Sequence, residues 1–327
     1  MWPFLDAAVR RVAGRRSQAT AESGSGGLGG ETGDIAELMR QVRRIEIRTR
    51  HLVADTFAGE YHAVFKGRGM AFDEVRPYQP GDEVRTIDWN VTARMGEPFV
   101  KRFVEERELT VMLAVDASGS FDVGSVRRVK RALAAELAAV LAFAATTNHD
   151  KVGLVIFTDE VELLIPPRKG RRHVLRLVRE LLAYRPQRRG TDLRVALDTV
   201  NRVLKRRAIV FLVSDFLADP AGFRRTLVAS SRRHDVIAVR LRDPHEADLP
   251  AVGLVAFEDA ESGAVVTVDT SDPGWRAAFS DRAERDAAAV RRGLADAGVA
   301  RIDVSTADDY AAALTAFFER RERRRRR

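Results

Sequence analysis

Side chains that could hold a hard metal ion occur at three points in the second half of the chain. The sequence D-x-S-x-S at residues 116–120 follows one apolar run, Thr191 stands in a loop further on, and Ser214-Asp215 follows another apolar run. Hard divalent cations take oxygen ligands, and Mg²⁺ in particular keeps several waters while using few protein oxygens. If the three segments meet in space, the pattern predicts a site for Mg²⁺ or Mn²⁺ formed by Asp116, Ser118, Ser120, Thr191 and Asp215.

Each part of this pattern also has a purely structural explanation. Serine and glycine directly after a strand are typical of a loop that caps the next helix, so the pentapeptide alone does not distinguish a metal site from a cap. Asp192 could supply a sixth oxygen, but a carboxylate at a helix N-terminus is equally explained by its interaction with the helix dipole. The combination of all three segments at the same predicted end of a sheet is what favours a metal site.

The elements that must position these residues alternate between strands and helices from residue 109 onward. Continuous apolar runs predict strands that are buried on both faces, and the longer segments between them predict helices. The predicted fold class is therefore α/β, with a doubly wound, mostly parallel sheet whose ligands lie at the carboxyl ends of the strands. Pro166 and Pro167 mark an edge strand. Strands are predicted at residues 109–115, 152–157, 161–165, 208–213, 236–241, 265–268 and 302–304, and helices at 126–147, 171–183, 192–205, 220–232, 274–297 and 308–321.

The chain divides into four predicted parts. Residues 1–33 are a disordered segment and linker, because residues 17–33 are rich in Ser, Gly, Ala and Thr and bury too little apolar surface to order themselves. Residues 34–106 hold a helix that starts at Asp34 and a small β-rich block, in which residues 86–93 and 99–105 form a hairpin. Residues 107–319 form the α/β domain, and residues 320–327 form a basic tail.

Composition excludes several classes of protein. With 327 residues, 45% hydrophobic and 31% charged, the chain is long enough for a substantial core and has an ordinary globular composition. It has no cysteine, which excludes disulfides, thiolate metal sites and cysteine nucleophiles and suits a reducing compartment. No run reaches the roughly 18 to 20 apolar residues that span a bilayer, and the N-terminus lacks the apolar core of a secretory signal. We therefore expect a cytoplasmic protein without a transmembrane segment.

The positive charge is concentrated at the C-terminus. Residues 319–327 contain seven arginines and two glutamates, and so supply +5 of the formal net charge of +8. Such a run is either a solvated terminus or a weak contact for an anionic membrane surface or nucleic acid. Nucleic-acid binding through the tail is the alternative function, but aromatic residues make up only 7% of the chain and do not form the stacking platforms expected of such proteins.

A metal-dependent hydrolase is a further alternative, and the sequence argues against it. Ser118 lacks the G-x-S-x-G context of hydrolase nucleophiles, and the six histidines show neither H-x-x-x-H nor H-E-x-x-H spacing. The glycine-rich stretch at residues 24–30 lacks the lysine and hydroxyl of a P-loop, so nucleotide hydrolysis would belong to a partner. We expect no enzyme activity from this chain.

The order D-x-S-x-S, then threonine, then aspartate resembles the metal-ion-dependent adhesion site of von Willebrand factor type A domains, over about residues 109–318. The resemblance implies that Ser118, Ser120 and Thr191 supply hydroxyl ligands to Mg²⁺ or Mn²⁺, while Asp116 and Asp215 act mainly through metal-bound water. It further implies an open coordination position that accepts a carboxylate from a protein partner.

A second resemblance involves residues 67–108. Residues 67–82, the segments R-T-I-D-W-N (85–90) and A-R (93–94), and E-E-R-E (105–108) resemble the bacterial domain-of-unknown-function family numbered fifty-eight. Members of that family place this block ahead of a type A domain and are commonly encoded beside MoxR-type AAA+ ATPases. The resemblance implies a protein-interaction module, an adaptor or substrate-recognition partner of such an ATPase in the assembly or maturation of protein complexes. Many members also carry two membrane helices, which this chain lacks.

The role of the block at residues 67–90 is open at this level. It mixes arginines with aspartates and includes Tyr78 and Trp89. Bidentate arginine–carboxylate pairs can pin turns over packed aromatic rings, or the same groups can form a surface that binds a partner. The sequence does not decide between them.

Overall fold

A computed structural model describes residues 7–8, 29–53, 58–65, 71–104, 108–122, 129–259 and 264–326. The predicted disorder of residues 1–33 therefore lies largely outside the described residues. The strands are β1 (Ala7–Ala8), β2 (Ala71–Pro77), β3 (Phe99–Val104), β4 (Thr110–Asp116), β5 (Lys151–Phe157), β6 (Val161–Arg168), β7 (Ile209–Ser214), β8 (Asp235–Arg242), β9 (Leu254–Asp259), β10 (Val265–Asp269) and β11 (Ala300–Ser305). The helices are α1 (Gly29–Leu52), α2 (Ala58–Phe65), α3 (Trp89–Met95), α4 (Lys130–Thr147), α5 (Arg171–Ala183), α6 (Leu193–Val203), α7 (Pro220–Arg233), α8 (Pro273–Asp296) and α9 (Tyr310–Arg326).

Six strands form the central sheet in the order β11-β8-β7-β4-β5-β6. All neighbouring pairs are parallel except β5 and β6, which are antiparallel. The chain moves outward from β4 through β5 to β6 and then returns to β7 on the other side of β4, so the strand order reverses between β4 and β7. This is the topological switch point of a doubly wound sheet. The predicted α/β fold is thus confirmed, and β6, which contains both prolines, is an edge strand as predicted.

The inner strands are apolar throughout because helices cover both faces of the sheet. In β4, Val111, Leu113 and Val115 contribute to the core on one face, and Met112 and Ala114 contribute to the core on the other. The alternation follows from the two-residue period of a strand. The first face packs against α4, α5 and α9, and the second packs against α6, α7 and α8. Burial on both faces fixes the positions of the strand ends that carry the predicted site.

The N-terminal helices belong to the same core as the sheet. The fully buried Tyr61 of α2 donates a hydrogen bond from its hydroxyl to Asp150 Oδ2 at 3.0 Å. Phe65 of the same helix packs edge-on against Phe211 of β7 and Phe318 of α9. Helix α1 packs against α4 and α5 and starts at Gly29, five residues before the predicted start at Asp34. These helices therefore close one face of the α/β domain.

The predicted strand at residues 86–93 is wrong. Most of that segment forms α3, because the carboxylate of Asp88 accepts hydrogen bonds from the backbone amides of Asn90 and Val91 and caps the helix. Gly96 ends the helix in the left-handed conformation, with φ of 78°, which glycine adopts without strain. Strand β3 is present as predicted but pairs with β2, and only Ile87 bridges to it from the predicted partner strand.

Two further differences involve the second half of the chain. The predicted short strand near residue 265 is β10, which pairs antiparallel with β9, a strand that the sequence did not indicate. Helix α9 extends through most of the predicted basic tail, and Arg321 forms an ion pair with Asp235 of β8. Of the helices in the described part of the chain, none combines the length and apolarity needed to cross a membrane.

Candidate metal site

The two aspartates of the predicted site leave neighbouring strands at the switch point. Strand β4 ends at Asp116, and the adjacent β7 ends at Ser214, directly before Asp215. Val115 and Val213 are partners in the parallel register, so the next residues of the two strands emerge side by side. Both carboxylates are buried, with exposed fractions of 1% and 2%. The sheet topology therefore produces a pair of enclosed acidic groups where doubly wound proteins bind their ligands.

The loop after β4 folds back on Asp116. The backbone amide of Ser118 donates to Asp116 Oδ1 at 2.9 Å, and the hydroxyl of Ser214 donates to Oδ2 at 2.8 Å. Both carboxylate oxygens are thus held by hydrogen bonds. The hydroxyl oxygens of Ser118 and Ser120 lie 3.1 Å apart, beside this carboxylate. The short spacing of the D-x-S-x-S sequence therefore brings both serine hydroxyls to the same side of the loop.

Asp215 is held in place from three directions. The hydroxyl of Ser120 forms a hydrogen bond with its carboxylate. The amide of Leu217 donates to Oδ1 at 3.2 Å, and the ammonium of Lys130 donates to Oδ2 at 2.9 Å. Phe216 follows in the left-handed conformation, with φ of 58°, and its amide donates to the Ser214 hydroxyl. This tight backbone turn places the Asp215 carboxylate within hydrogen-bond distance of Ser120.

Lys130 is a site residue that the sequence analysis missed. Its side chain is fully buried at the start of α4, and its ammonium forms ion pairs with Asp215 and with Glu246. No local spacing links residues 130, 215 and 246, so only the packing of α4 against the sheet and the loop after β8 brings them together. The one sequence signal was a charged residue within the predicted helix at residues 126–147.

The buried charges shift one another's pKa values. Burial and the nearby Asp215 raise the pKa of Asp116 to about 7. Burial also opposes ionisation of Asp215, but the Lys130 ammonium and the hydrogen bond from Ser120 outweigh it and hold the pKa of Asp215 below its usual value. The pKa of Lys130 is raised, because its two carboxylate partners outweigh its burial. Within the pair of aspartates, Asp215 carries the fixed negative charge.

The loop that carries Thr191 contacts the serine loop through the backbone. The amide of Gly119 donates to the carbonyl oxygen of Arg189 at 2.9 Å, and Thr191 lies two residues further on, half-buried. Asp192 caps α6, since its carboxylate accepts from the amide of Arg194 at 2.9 Å and pairs with the guanidinium of the same residue. The structure thus brings Asp116, Ser118, Ser120 and Asp215 together, holds the Thr191 loop against them, and assigns Asp192 a capping role.

The donor set fits a small hard cation. Mg²⁺ binds six oxygens octahedrally at about 2.1 Å, which separates neighbouring ligands by about 3.0 Å. The two serine hydroxyls match that separation at 3.1 Å. Among the described residues, the Lys130 ammonium pairs with Asp215 and Glu246 and has no hydrogen bond to either serine hydroxyl. In the described part of the chain, no three His, Asp or Glu side chains are placed so that they could hold a metal ion by themselves, so hydroxyls must contribute to any coordination.

These features define a class of protein: a doubly wound α/β domain with paired aspartates and serine hydroxyls at its switch point. The chain belongs to the family described as "Protein of unknown function DUF58", whose family model matches residues 74–289. The predicted family is therefore confirmed. The matched range includes most of the β2 to β3 block and all residues of the predicted metal site.

The chain is also similar to a curated protein and to several solved structures. The "Uncharacterized protein Rv1480" of Mycobacterium tuberculosis is 35% identical over 294 residues, covering 89% of this chain and 92% of the relative. The structure is similar to BatB from Bacteroides thetaiotaomicron, with a TM-score of 0.44, 16% identity and coverage of 66% of this chain and 99% of the other. A von Willebrand factor type A protein from Catenulispora acidiphila gives a TM-score of 0.40 and 16% identity, with coverage of 68% and 43%. The fold assignment rests on the strand order of the central sheet.

Proposed function

We propose that the protein is a non-catalytic, Mg²⁺-dependent protein-interaction module. The observation that carries this proposal is the pair of serine hydroxyls 3.1 Å apart, beside two buried aspartates at the switch point of the sheet. Oxygen ligands at octahedral spacing suit Mg²⁺ or Mn²⁺. In doubly wound sheets, ligands bind at the carboxyl ends of the strands, so a partner can reach a site at this position.

Each residue has a distinct task in this proposal. Ser118, Ser120 and Thr191 hold the cation through their hydroxyls. Asp116 and Asp215 act through intervening water, which agrees with the hydrogen bonds that already occupy both oxygens of Asp116. Lys130 orients Asp215 and offsets its charge. When bound, the cation would supply a coordination position that accepts a carboxylate oxygen from the partner.

Catalysis is not part of this function. The hydroxyl of Ser118 has the Ser120 hydroxyl and the buried Asp116 beside it, and neither arrangement gives it the histidine base that activates a serine nucleophile. The proposed task of the site is therefore to bind a partner and not to transform a substrate.

The proposed partner is a MoxR-type AAA+ ATPase, for which this chain would act as an adaptor or as the component that recognises an acidic residue on a client protein. Membership of the family supports this partner, since its members are commonly encoded beside such ATPases. The proposed process is the assembly or maturation of protein complexes.

A metal titration followed by thermal unfolding tests the site itself. At about 100 times its dissociation constant, a cation that binds only the folded protein stabilises it by about 2.7 kcal/mol, so the melting temperature should rise by several degrees in Mg²⁺ or Mn²⁺ relative to chelator. Thr191→Ala should reduce that rise, whereas Thr267→Ala, which removes an exposed hydroxyl from β10, should not. Equal melting curves in Mg²⁺, Mn²⁺ and chelator would contradict a functional cation site.

Binding of the ATPase tests the proposed partner. A MoxR-type ATPase from the same organism should be retained by the wild type in Mg²⁺, and less by Thr191→Ala or in chelator. Removal of residues 323–327, which keeps the ion pair between Arg321 and Asp235, should change only the salt-sensitive component of binding, because exposed charges act over roughly 10 Å at 0.1 M salt. Loss of binding on removal of these residues alone would instead favour the electrostatic alternative.

A further inference from the structure

A cavity of about 370 Å³ adjoins the candidate metal site. It lies beneath α8 at the carboxyl end of β8, and its wall includes Ser120 of the serine loop and Leu217 from the turn after Asp215. Its volume falls within the range of about 300 to 1,000 Å³ that is typical of ligand sites. A group bound at the serine loop would therefore border this space.

Arg240 is the central charged group of this cavity. It lies near the end of β8 and is 6% exposed, so its guanidinium is largely removed from bulk water. Among the described residues its one hydrogen bond runs from Nε to the backbone carbonyl oxygen of Asp215, at 3.3 Å. Burial lowers the pKa of the Arg240 guanidinium. Its charged form is favoured at longer range by Asp303, Glu246 and Asp215, but burial is the larger influence. Arg240 therefore retains unused donors that a bidentate anion could accept.

Arg242 lies two residues further along the same strand and faces the same cavity. It is exposed, and within the described part of the chain its guanidinium forms no hydrogen bond or ion pair. Its positive charge lies close enough to Arg240 to disfavour the charged form of Arg240. An anion bound between the two arginines would offset this repulsion.

The acidic residues around the cavity are already engaged. Glu246 pairs with Lys130, Glu284 with Arg291, and Asp286 with Arg282. The carboxylate of Asp243 accepts hydrogen bonds from the Thr306 hydroxyl and the His245 amide, and Asp308 also has a partner. The hydrogen bond of Glu284 goes to Arg291 and lowers the pKa of Glu284, and Arg240 and Arg242 also help to lower that pKa through their charge. Among the described residues, the carboxylates of the cavity thus leave hydrogen-bond donors of the two β8 arginines for an external group.

We propose that Arg240 and Arg242 form a subsite for a second carboxylate of the protein partner, next to the one that binds at the serine loop. The partner would then present a short acidic segment with two Asp or Glu residues, one for each subsite. The first contact rests on the proposed function, whereas the second depends only on the two arginines. Arg240 links the subsites directly, because it donates to the backbone of Asp215.

A carboxylate suits this cavity better than a phosphate group. Five acidic side chains line the cavity, so a dianionic phosphate would meet more repulsion than a single carboxylate would. The guanidinium fork of arginine binds a carboxylate or a phosphate with two parallel hydrogen bonds, so the acidic lining decides between them. These considerations select an acidic peptide segment as the occupant.

Binding of a fluorescent hexaglutamate peptide to the full chain tests the proposal, with hexaglutamine as the uncharged control. Arg242→Gln and Arg240→Gln should each weaken hexaglutamate binding about tenfold, in Mg²⁺ and in chelator alike. Arg225→Gln, which removes an exposed arginine from α7, should leave binding unchanged. Thr191→Ala should remove only the part of the affinity that depends on Mg²⁺. Because Arg242 is exposed, its variant keeps the test valid even if Arg240→Gln does not fold.

The outcomes separate the two proposals. If hexaglutamate binding is independent of Mg²⁺ but still weakened by both β8 variants, the arginine subsite stands and the cation site is contradicted. If binding depends on Mg²⁺ but Arg242→Gln behaves like Arg225→Gln, the subsite is wrong. The absence of saturable binding at millimolar peptide also overturns it. So does displacement of the peptide by pyrophosphate at much lower concentration than by glutarate, since the cavity would then be a phosphate site.

Discussion

Asp82, in the block before the α/β domain, and Asp215, at the switch point, each face one basic side chain, but they differ in burial. Arg76 forms two hydrogen bonds with Asp82, at 2.9 and 2.7 Å, and these bonds together with the Gln79 amide hold the pKa of Asp82 below its usual value. The Lys130 to Asp215 pair has one such bond, at 2.9 Å, and both side chains are inaccessible to water. The solvent-accessible pair of Arg76 and Asp82 has the better hydrogen-bond geometry. Loss of one partner should nevertheless reduce stability more in the buried pair of Lys130 and Asp215.

The difference follows from solvation. Water and salt can replace either partner of the Arg76 and Asp82 pair, so that pair orders a turn without determining stability. Water cannot replace Lys130, and removing it leaves two carboxylates buried without compensation. Similar charge pairs thus play different roles in the two regions: the block before the α/β domain uses them to shape a surface, and the switch point uses them to hold a site.

The largest effect is expected for Lys130→Met measured in chelator. Loss of one partner from a buried ion pair destabilises a protein by about 3–5 kcal/mol, and urea unfolding should show a loss of that order. Without the ammonium the folded-state pKa values of Asp215 and Glu246 rise, and an acid whose folded pKa is raised loses stability as the pH increases. The deficit should therefore be larger at pH 8 than at pH 5.

Lys101→Met is the matched control for that experiment. Lys101 also pairs with an aspartate, Asp88, at 3.3 Å, but both groups are accessible to solvent. The control should leave the urea midpoint nearly unchanged. Equal losses for the two variants would show that burial does not distinguish the two regions.

A smaller effect of opposite sign is expected for Asp116→Asn in chelator. The pKa of Asp116 is about 7 in the folded protein against an ordinary value near 3.8, so its stabilising contribution is complete below pH 4 and is lost as the pH rises through 7. Asparagine does not ionise, so the variant should gain on the order of 1 to 3 kcal/mol relative to wild type at pH 8. Chemical unfolding at pH 4.5 and 8 measures the difference, and a gain that is the same at both pH values would refute the explanation.

Trp89→Ala should have little effect on stability, although tryptophan is usually a costly residue to truncate. The side chain is 66% exposed on α3, and that helix buries none of its residues. A change within about 0.5 kcal/mol is expected in thermal or urea unfolding. A loss typical of a core tryptophan would show that α3 packs against another part of the protein in solution.

The smallest effect is expected for Arg76→Gln. Its pair with Asp82 is accessible to solvent, so the melting temperature should change slightly at low salt and not measurably at high salt. Melting curves at the two salt concentrations are sufficient to test this. A loss that persists at high salt would assign the pair a structural role comparable to that of Lys130.

Local sequence predicted most of the α/β domain. The continuous apolar runs predicted the strands of the central sheet, and the paired prolines predicted its edge at β6. The strand predicted at residues 86–93 is wrong because helix capping outweighs the hydrophobic alternation of that segment. Asp88 and Gly96 were local signals for a short helix and could have been recognised.

What the sequence determined by itself is therefore the local part of the site: the D-x-S-x-S turn after an apolar strand, the threonine loop and the second aspartate. These depend on short-range hydrogen bonding and on strand periodicity, which neighbouring residues set. Only the tertiary structure joined Lys130 and Glu246 to Asp215 and placed Arg240 against its backbone. Those contacts connect residues that are 25 to 116 positions apart in the sequence. They form because helices pack against both faces of the central sheet. Charge interactions of this kind depend on burial, which no local spacing reveals.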